Sequence, residues 1–102
     1  VQRNWVQIDG HVAKAPRRSK SPAGINHCQF WLDHVSTQTE ANMARQARAY
    51  IAVVASGDEL NQQTQLLQMG SAVTVTGFLV TQTGRDGLAK MILHAQHIEL
   101  LN

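Results

Sequence analysis

The stretch Gly70-Ser-Ala-Val-Thr-Val-Thr-Gly-Phe-Leu-Val-Thr-Gln-Thr-Gly-Arg-Asp-Gly-Leu-Ala-Lys-Met-Ile-Leu-His-Ala-Gln-His-Ile-Glu-Leu-Leu101 decides the fold. Two runs rich in Val, Ile, Leu and Thr, Ala72 to Gln82 and Lys90 to Leu101, have the composition of half-buried strands. Gly84-Arg-Asp-Gly87 between them reads as a hairpin loop, with Arg85 and Lys90 on a flexible arm. Gly77, in the middle of the first run, marks a bend or bulge. The second run changes parity near Gln96, where Met91, Leu93 and Ala95 give way to Ile98 and Leu100. A bulge at that point would keep both sets on the core face of a curling sheet.

Upstream, Val6, Ile8, Gly10 and Val12 alternate with polar residues and predict a first strand from Asn4 to Ala15. Pro16 ends it, and Arg17 to Asn26, with Pro22 and Gly24, reads as a basic loop. Cys28, Phe30 and Leu32 face one way and His27, Gln29, Trp31 and Asp33 the other, along a second strand that extends toward Ser36. The polar run Thr37 to Gln46 carries no apolar stripe and is expected to be a long exposed loop. A third strand spans Ala47 to Ala55, and Asp58 is a candidate N-cap for a helix of one or two turns. Five strands, taken as antiparallel, with one short helix between the third and fourth have the order of an OB-fold. This is an all-β, five-stranded Greek-key barrel whose face binds oligonucleotides. Another small barrel or sandwich is the competing architecture.

With 102 residues the chain is expected to form one domain over residues 1–102. It has no apolar run near the ~18 residues that would cross a bilayer. No basic-then-apolar leader is apparent, and the lone Cys28 has no partner for a disulfide, so a reducing cytoplasm is the expected compartment. Cys28 reads as a small buried hydrophobe rather than a reactive thiol. Nine Lys and Arg against seven Asp and Glu give only +2, so the distribution of charge matters more than its sum. Lys14, Arg17, Arg18 and Lys20 cluster, as do Arg45 and Arg48, while Arg85 and Lys90 flank the hairpin loop. Each cluster, taken alone, is equally a solvated surface.

The runs Ser21-Pro-Ala-Gly-Ile-Asn-His-Cys-Gln-Phe30, Asp33-His34, Arg45-Gln46, Gly87-Leu-Ala-Lys-Met-Ile-Leu-His-Ala95 and Ile98-Glu-Leu100 together resemble the primosomal replication protein N family, PriB. That family is related to single-stranded DNA-binding protein (SSB). The resemblance covers nearly the whole chain. It implies a homodimer of OB-folds that binds single-stranded DNA at restarting forks and bridges the PriA helicase to DnaT, with SSB as a further contact and no cofactor or catalysis. By position, the family's DNA contacts fall on Arg85 and Lys90 of the hairpin, on Met43, Arg45 and Gln46 of the long loop, and on Arg48 just beyond it. Thr83 stands where the family carries Lys, Met43 where it carries an aromatic, Arg48 in place of Trp and Val35 in place of Arg.

A binder of single strands without sequence preference needs cations along the backbone and flat groups on which bases stack. The basic run Lys14, Arg17, Arg18 and Lys20 supplies further cations. Trp31 is a candidate stacking platform, with burial against the barrel or at a dimer contact as the alternative. A second hypothesis makes the chain a protein-interaction adaptor of the primosome with incidental DNA affinity. A third uses the five histidines for metal chemistry, but no HExxH, no CxxC and no paired carboxylates accompany them.

Overall fold

The computed structural model describes residues 2–101; Val1 and Asn102, the ends of the expected domain, lie outside the described residues. Its elements are β1 (Val6–Val12), β2 (Arg17–Lys20), β3 (Asn26–Glu40), β4 (Met43–Ser56), α1 (Asp58–Gln63), β5 (Ala72–Thr83) and β6 (Ala89–Leu100). The strands run in the order β1-β5-β6-β4-β3-β2, and the sheet curls until β1 also meets β3 at His11↔Asp33 and Val12↔Leu32. Five strands thus close an OB barrel, and the short β2 is a sixth on the outer edge of β3. One pairing departs from the antiparallel expectation: β4 and β6 run parallel, from Ala52↔Ile92 to Ala55↔Ala95. The chain between them must pass through α1 and β5, which gives the connection the length a parallel pair requires.

The inward parity of the five barrel strands meets in one core. Val12, Cys28, Phe30, Leu32, Val53, Val73, Val75 and Leu93 are all essentially inaccessible, and Leu60 and Leu67 plug one end. Helix α1 is also tied by polarity, since Gln63 Oε1 accepts the Ile98 N–H at 2.8 Å. Its N-cap is Gly57 without a side-chain cap, and the expected cap Asp58 is the first helical residue. There its charge complements the positive end of the helix. No helix is long and apolar enough to cross a membrane among the described residues.

Two glycines let the sheet close. A Cβ at Gly10 would sit 2.6 Å from the Asp33 carbonyl oxygen, where β1 crosses β3. Gly77 lies where the β5–β6 register shifts: Thr76 pairs with His97 but Gly77 with Ala95, leaving Gln96 as the extra residue of a bulge. The parity change read near Gln96 is this bulge.

Three further expectations need correction. The basic segment from Arg17 is not all loop, because Arg17–Lys20 pairs with β3 from Arg17↔Gln29 to Lys20↔Asn26. The first strand is shorter than read, ending at Val12. The expected long loop from Thr37 to Gln46 is a two-stranded arm, in which β3 and β4 stay paired out to Glu40↔Met43. Ala41 (φ 51°) and Asn42 (φ 63°) turn it, both in the left-handed region, as a type I′ hairpin demands. Asn tolerates that region; Ala41 is strained there by about 1 kcal/mol or more.

Candidate nucleic-acid interface

The outward parity of the curled sheet brings side chains from five strands into rows. Through successive register partners, Arg17 of β2 lies beside Gln29 of β3, then Val54 of β4, His94 of β6 and Phe78 of β5. The next row holds Trp31, Ala52, Ile92 and Val80, and beyond it Asp33 faces Tyr50 and Lys90 faces Gln82. Small Ala52 directly across from Trp31 leaves the indole free to lean along the sheet. It stacks on Tyr50 with centroids 4.8 Å apart and planes at 6°. Phe78 and His94 stack similarly at 5.4 Å and 8°.

Two concavities, about 300 Å³ and about 410 Å³, follow these rows and share Gln29 and Gln82, so they form one trough. At one end the β5–β6 hairpin overhangs it through Gly84, Lys90 and Met91 beside Trp31. At the other end lie Arg17, Arg18, Ser19, His27 and His94. Cations at both ends, amides in the middle and an aromatic platform on one wall make a surface for a flexible polyanion carrying flat rings.

The sequence-predicted residues divide sharply. Trp31, Arg17 and Lys90 line the trough, and Arg85 stands exposed at the hairpin tip. That tip is braced: Asp86 Oδ1 accepts the Leu88 N–H at 3.0 Å, and the Gly84 N–H donates to Leu88 O at 3.0 Å. Of its two glycines only Gly87, at φ 78°, uses the left-handed region. Arg18 lies at the trough end but its guanidinium is turned away, donating to Thr64 O and, at 3.2 Å, to Thr64 Oγ1 and Asn61 Oδ1. It therefore pins the edge strand to the segment around α1. Lys20 shares the parity of Arg18, and exposed Lys14 lies between β1 and β2 outside the trough.

In the β3–β4 arm, strand parity separates residues expected to act together. Arg48 and Gln46, opposite Val35 and Thr37, continue the face of Tyr50 and Trp31. Met43 and Arg45 lie on the other face, where Arg45 meets Glu40 at 3.5 Å. Gln29, Gln82, His27 and His94, which sequence reading did not single out as contacts, line the trough. Only cross-strand register reveals them, because they come from three different strands. The bulge at Gln96 also turns His97, opposite Thr76, to the same outer surface as His94. Even so, no group of three His, Cys, Asp or Glu is placed to hold a metal among the described residues.

The fold and trough define a protein of the single-strand binding class, and a family model described as "Another single-strand binding protein family" matches residues 4–97. This is a family of binding proteins rather than enzymes. The replication restart protein PriB of Photobacterium profundum is 49% identical over 98 residues, covering 96% of this chain and 94% of that one. The chain belongs to the replication restart protein PriB family. Among solved structures, PriB from Ralstonia solanacearum superposes with a TM-score of 0.80 at 19% identity, covering 98% of this chain and 99% of that chain. The wild-type single-stranded DNA binding protein from Thermus aquaticus gives 0.81 at 20%, covering 98% of this chain and 50% of the other. At such identities these likenesses concern the fold alone.

Proposed function

We propose that this chain is a replication-restart accessory, one OB-fold domain acting in the cytoplasm, which binds single-stranded DNA along the trough without sequence preference. The observation that carries this reading is the continuity of the trough: Arg17 at one end, Lys90 at the other, and the stacked Trp31–Tyr50 pair between cations and amides. Phosphates meet charge wherever the strand enters, and a base can stack on the exposed side of the aromatic pair. Trp31→Ala is expected to weaken binding of a labelled oligothymidylate by about five- to a hundredfold or more, the equivalent of ~1 to 3 kcal/mol for one lost stack. Fluorescence anisotropy at moderate salt measures it. Affinity unchanged within twofold would remove Trp31 from the path, and a native chain that fails to bind even at low salt would leave the adaptor reading.

The finer assembly is part of the same proposal. From Val6 to Gly10, β1 has a ladder with β5 on one side, while its pairing with β3 covers only His11 and Val12. Such an edge is a template for a second strand, which supports a homodimer. Family membership supports the PriA helicase and DnaT as partners, with SSB as a further one. Sedimentation velocity of the chain alone and with each purified partner reads all of this. The expected result is twice the 11.2 kDa chain mass alone and a heavier boundary with PriA and with DnaT. A monomer alone, or unshifted boundaries, would remove the corresponding contact.

A further inference from the structure

The β2 end of the trough has a composition that single-strand binding does not by itself require. The 410 Å³ concavity there is lined by Arg17, Arg18, His27 and His94, with Ser19, Gln29 and Gln82 between them and no carboxylate in its wall. Arg18 is occupied by Thr64 and Asn61. The Arg17 side chain makes no hydrogen bond or ion pair among the described residues, so its guanidinium is available to a ligand. His27 Nδ1 meets Ser56 Oγ at 2.7 Å, which fixes the ring and leaves Nε2 uncommitted. His94 is held flat against Phe78, and neither of its nitrogens has a protein partner among the described residues.

We infer that this end of the trough is a proton-coupled seat for a phosphodiester, held by Arg17, His27 and His94. The inference rests on the single-strand reading and adds the regulation of that site. A phosphodiester keeps its negative charge at any physiological pH, whereas imidazole is the side chain that changes charge between pH 5 and 8. An anion seated among the three groups favours imidazolium over neutral imidazole by direct attraction, so binding takes up protons. By linkage, affinity then rises as pH falls. The groups that face the two rings are few. β2 contributes Arg17 and Arg18, with Lys20 opposite neighbouring Asn26; β6 adds His97 on the same outer surface as His94; β4, through Val54 and Ser56, and β5, through Phe78 and Gln82, bring no titratable group. From α1 the nearby acids are Asp58, whose Oδ1 accepts from Asn26 Nδ2 at 3.3 Å, and exposed Glu59. No acid lies in the wall to supply the counter-charge, which leaves that role to the ligand.

The test is anisotropy titration of labelled oligothymidylate at constant ionic strength, at pH 8 and pH 6. Neither thymine nor the diester titrates in that interval. The expected gain in affinity for the native chain is about tenfold on acidification. In the double variant His27→Gln, His94→Gln the ratio of the two affinities should fall to near one, whatever the absolute affinity. Calorimetry of the native chain near pH 6.5, in buffers of different ionisation enthalpy, should show net proton uptake and needs no variant. A pH-independent affinity, a rise retained in the double variant or no proton uptake would each overturn the seat. Binding at pH 8 with no pH dependence overturns only this inference, while no binding at either pH overturns the single-strand reading with it.

Discussion

Alanine at Arg17, Arg85 and Lys90 together is expected to weaken single-strand binding about a hundredfold near physiological salt and to take about two units off the slope of log affinity against log salt. The slope follows from counterion release, which for single strands is ~0.7 per neutralised phosphate, so three lost contacts remove ~2. These three cations are chosen by geometry. Arg17 and Lys90 line opposite ends of the trough, and Arg85 crowns the hairpin that overhangs it. Arg45→Ala is the control: its guanidinium lies on the other face of the arm against Glu40, and its slope should stay within a few tenths of a unit. Arg18→Ala should act differently again, lowering stability through the loss of its bonds to Thr64 and Asn61. Salt titrations on the triple variant and on Arg45→Ala check the assignment, and thermal unfolding reads the stability lost in Arg18→Ala. An unchanged slope in the triple variant would place the strand elsewhere on the barrel.

The contrast between Arg17 and Arg18 shows where sequence reading stops. A run of cations was legible, but neighbouring residues on a strand point to opposite faces, and the strand itself was invisible. β2 is exposed at all four positions. With no apolar alternation, Arg17–Lys20 has the same composition as a solvated loop. The β3–β4 arm hid for the same reason: both of its faces meet solvent beyond Ser36, so no period of two is written there. Its Ala41-Asn42 turn also lacks the glycine that usually announces a type I′ hairpin. Where one face is buried, the reading held, as in the hairpin of β5 and β6, the outward parity of Trp31, and the bulge at Gln96. The trough required one thing more. Gln29, His94 and Gln82 become neighbours only through a parallel β4–β6 ladder, and such a pairing leaves no local trace in sequence.

The bulge also sets the largest stability effect. Gly77→Ala is expected to lower the melting temperature by roughly 15 °C or more, from a loss of at least about 3 kcal/mol. A Cβ at Gly77 would fall on the His94 carbonyl oxygen, 2.8 Å from its carbon and 3.0 Å from Ala95 Cα. Each of these is backbone, so no rotamer change relieves the overlap. The strands would have to part where β6 accommodates Gln96, between core residues Val75 and Leu93. Against a total stability of ~5 to 15 kcal/mol for a domain this size, that is a large share. Gly10→Ala should cost less, because part of its overlap is with the movable Leu32 side chain. Thermal unfolding followed by circular dichroism ranks the two. A Gly77→Ala melting point within ~3 °C of the native chain would mean that β5 and β6 can separate at the bulge without loss. In that case His94, whose carbonyl is the first obstacle, would not be held rigidly in its row against Phe78.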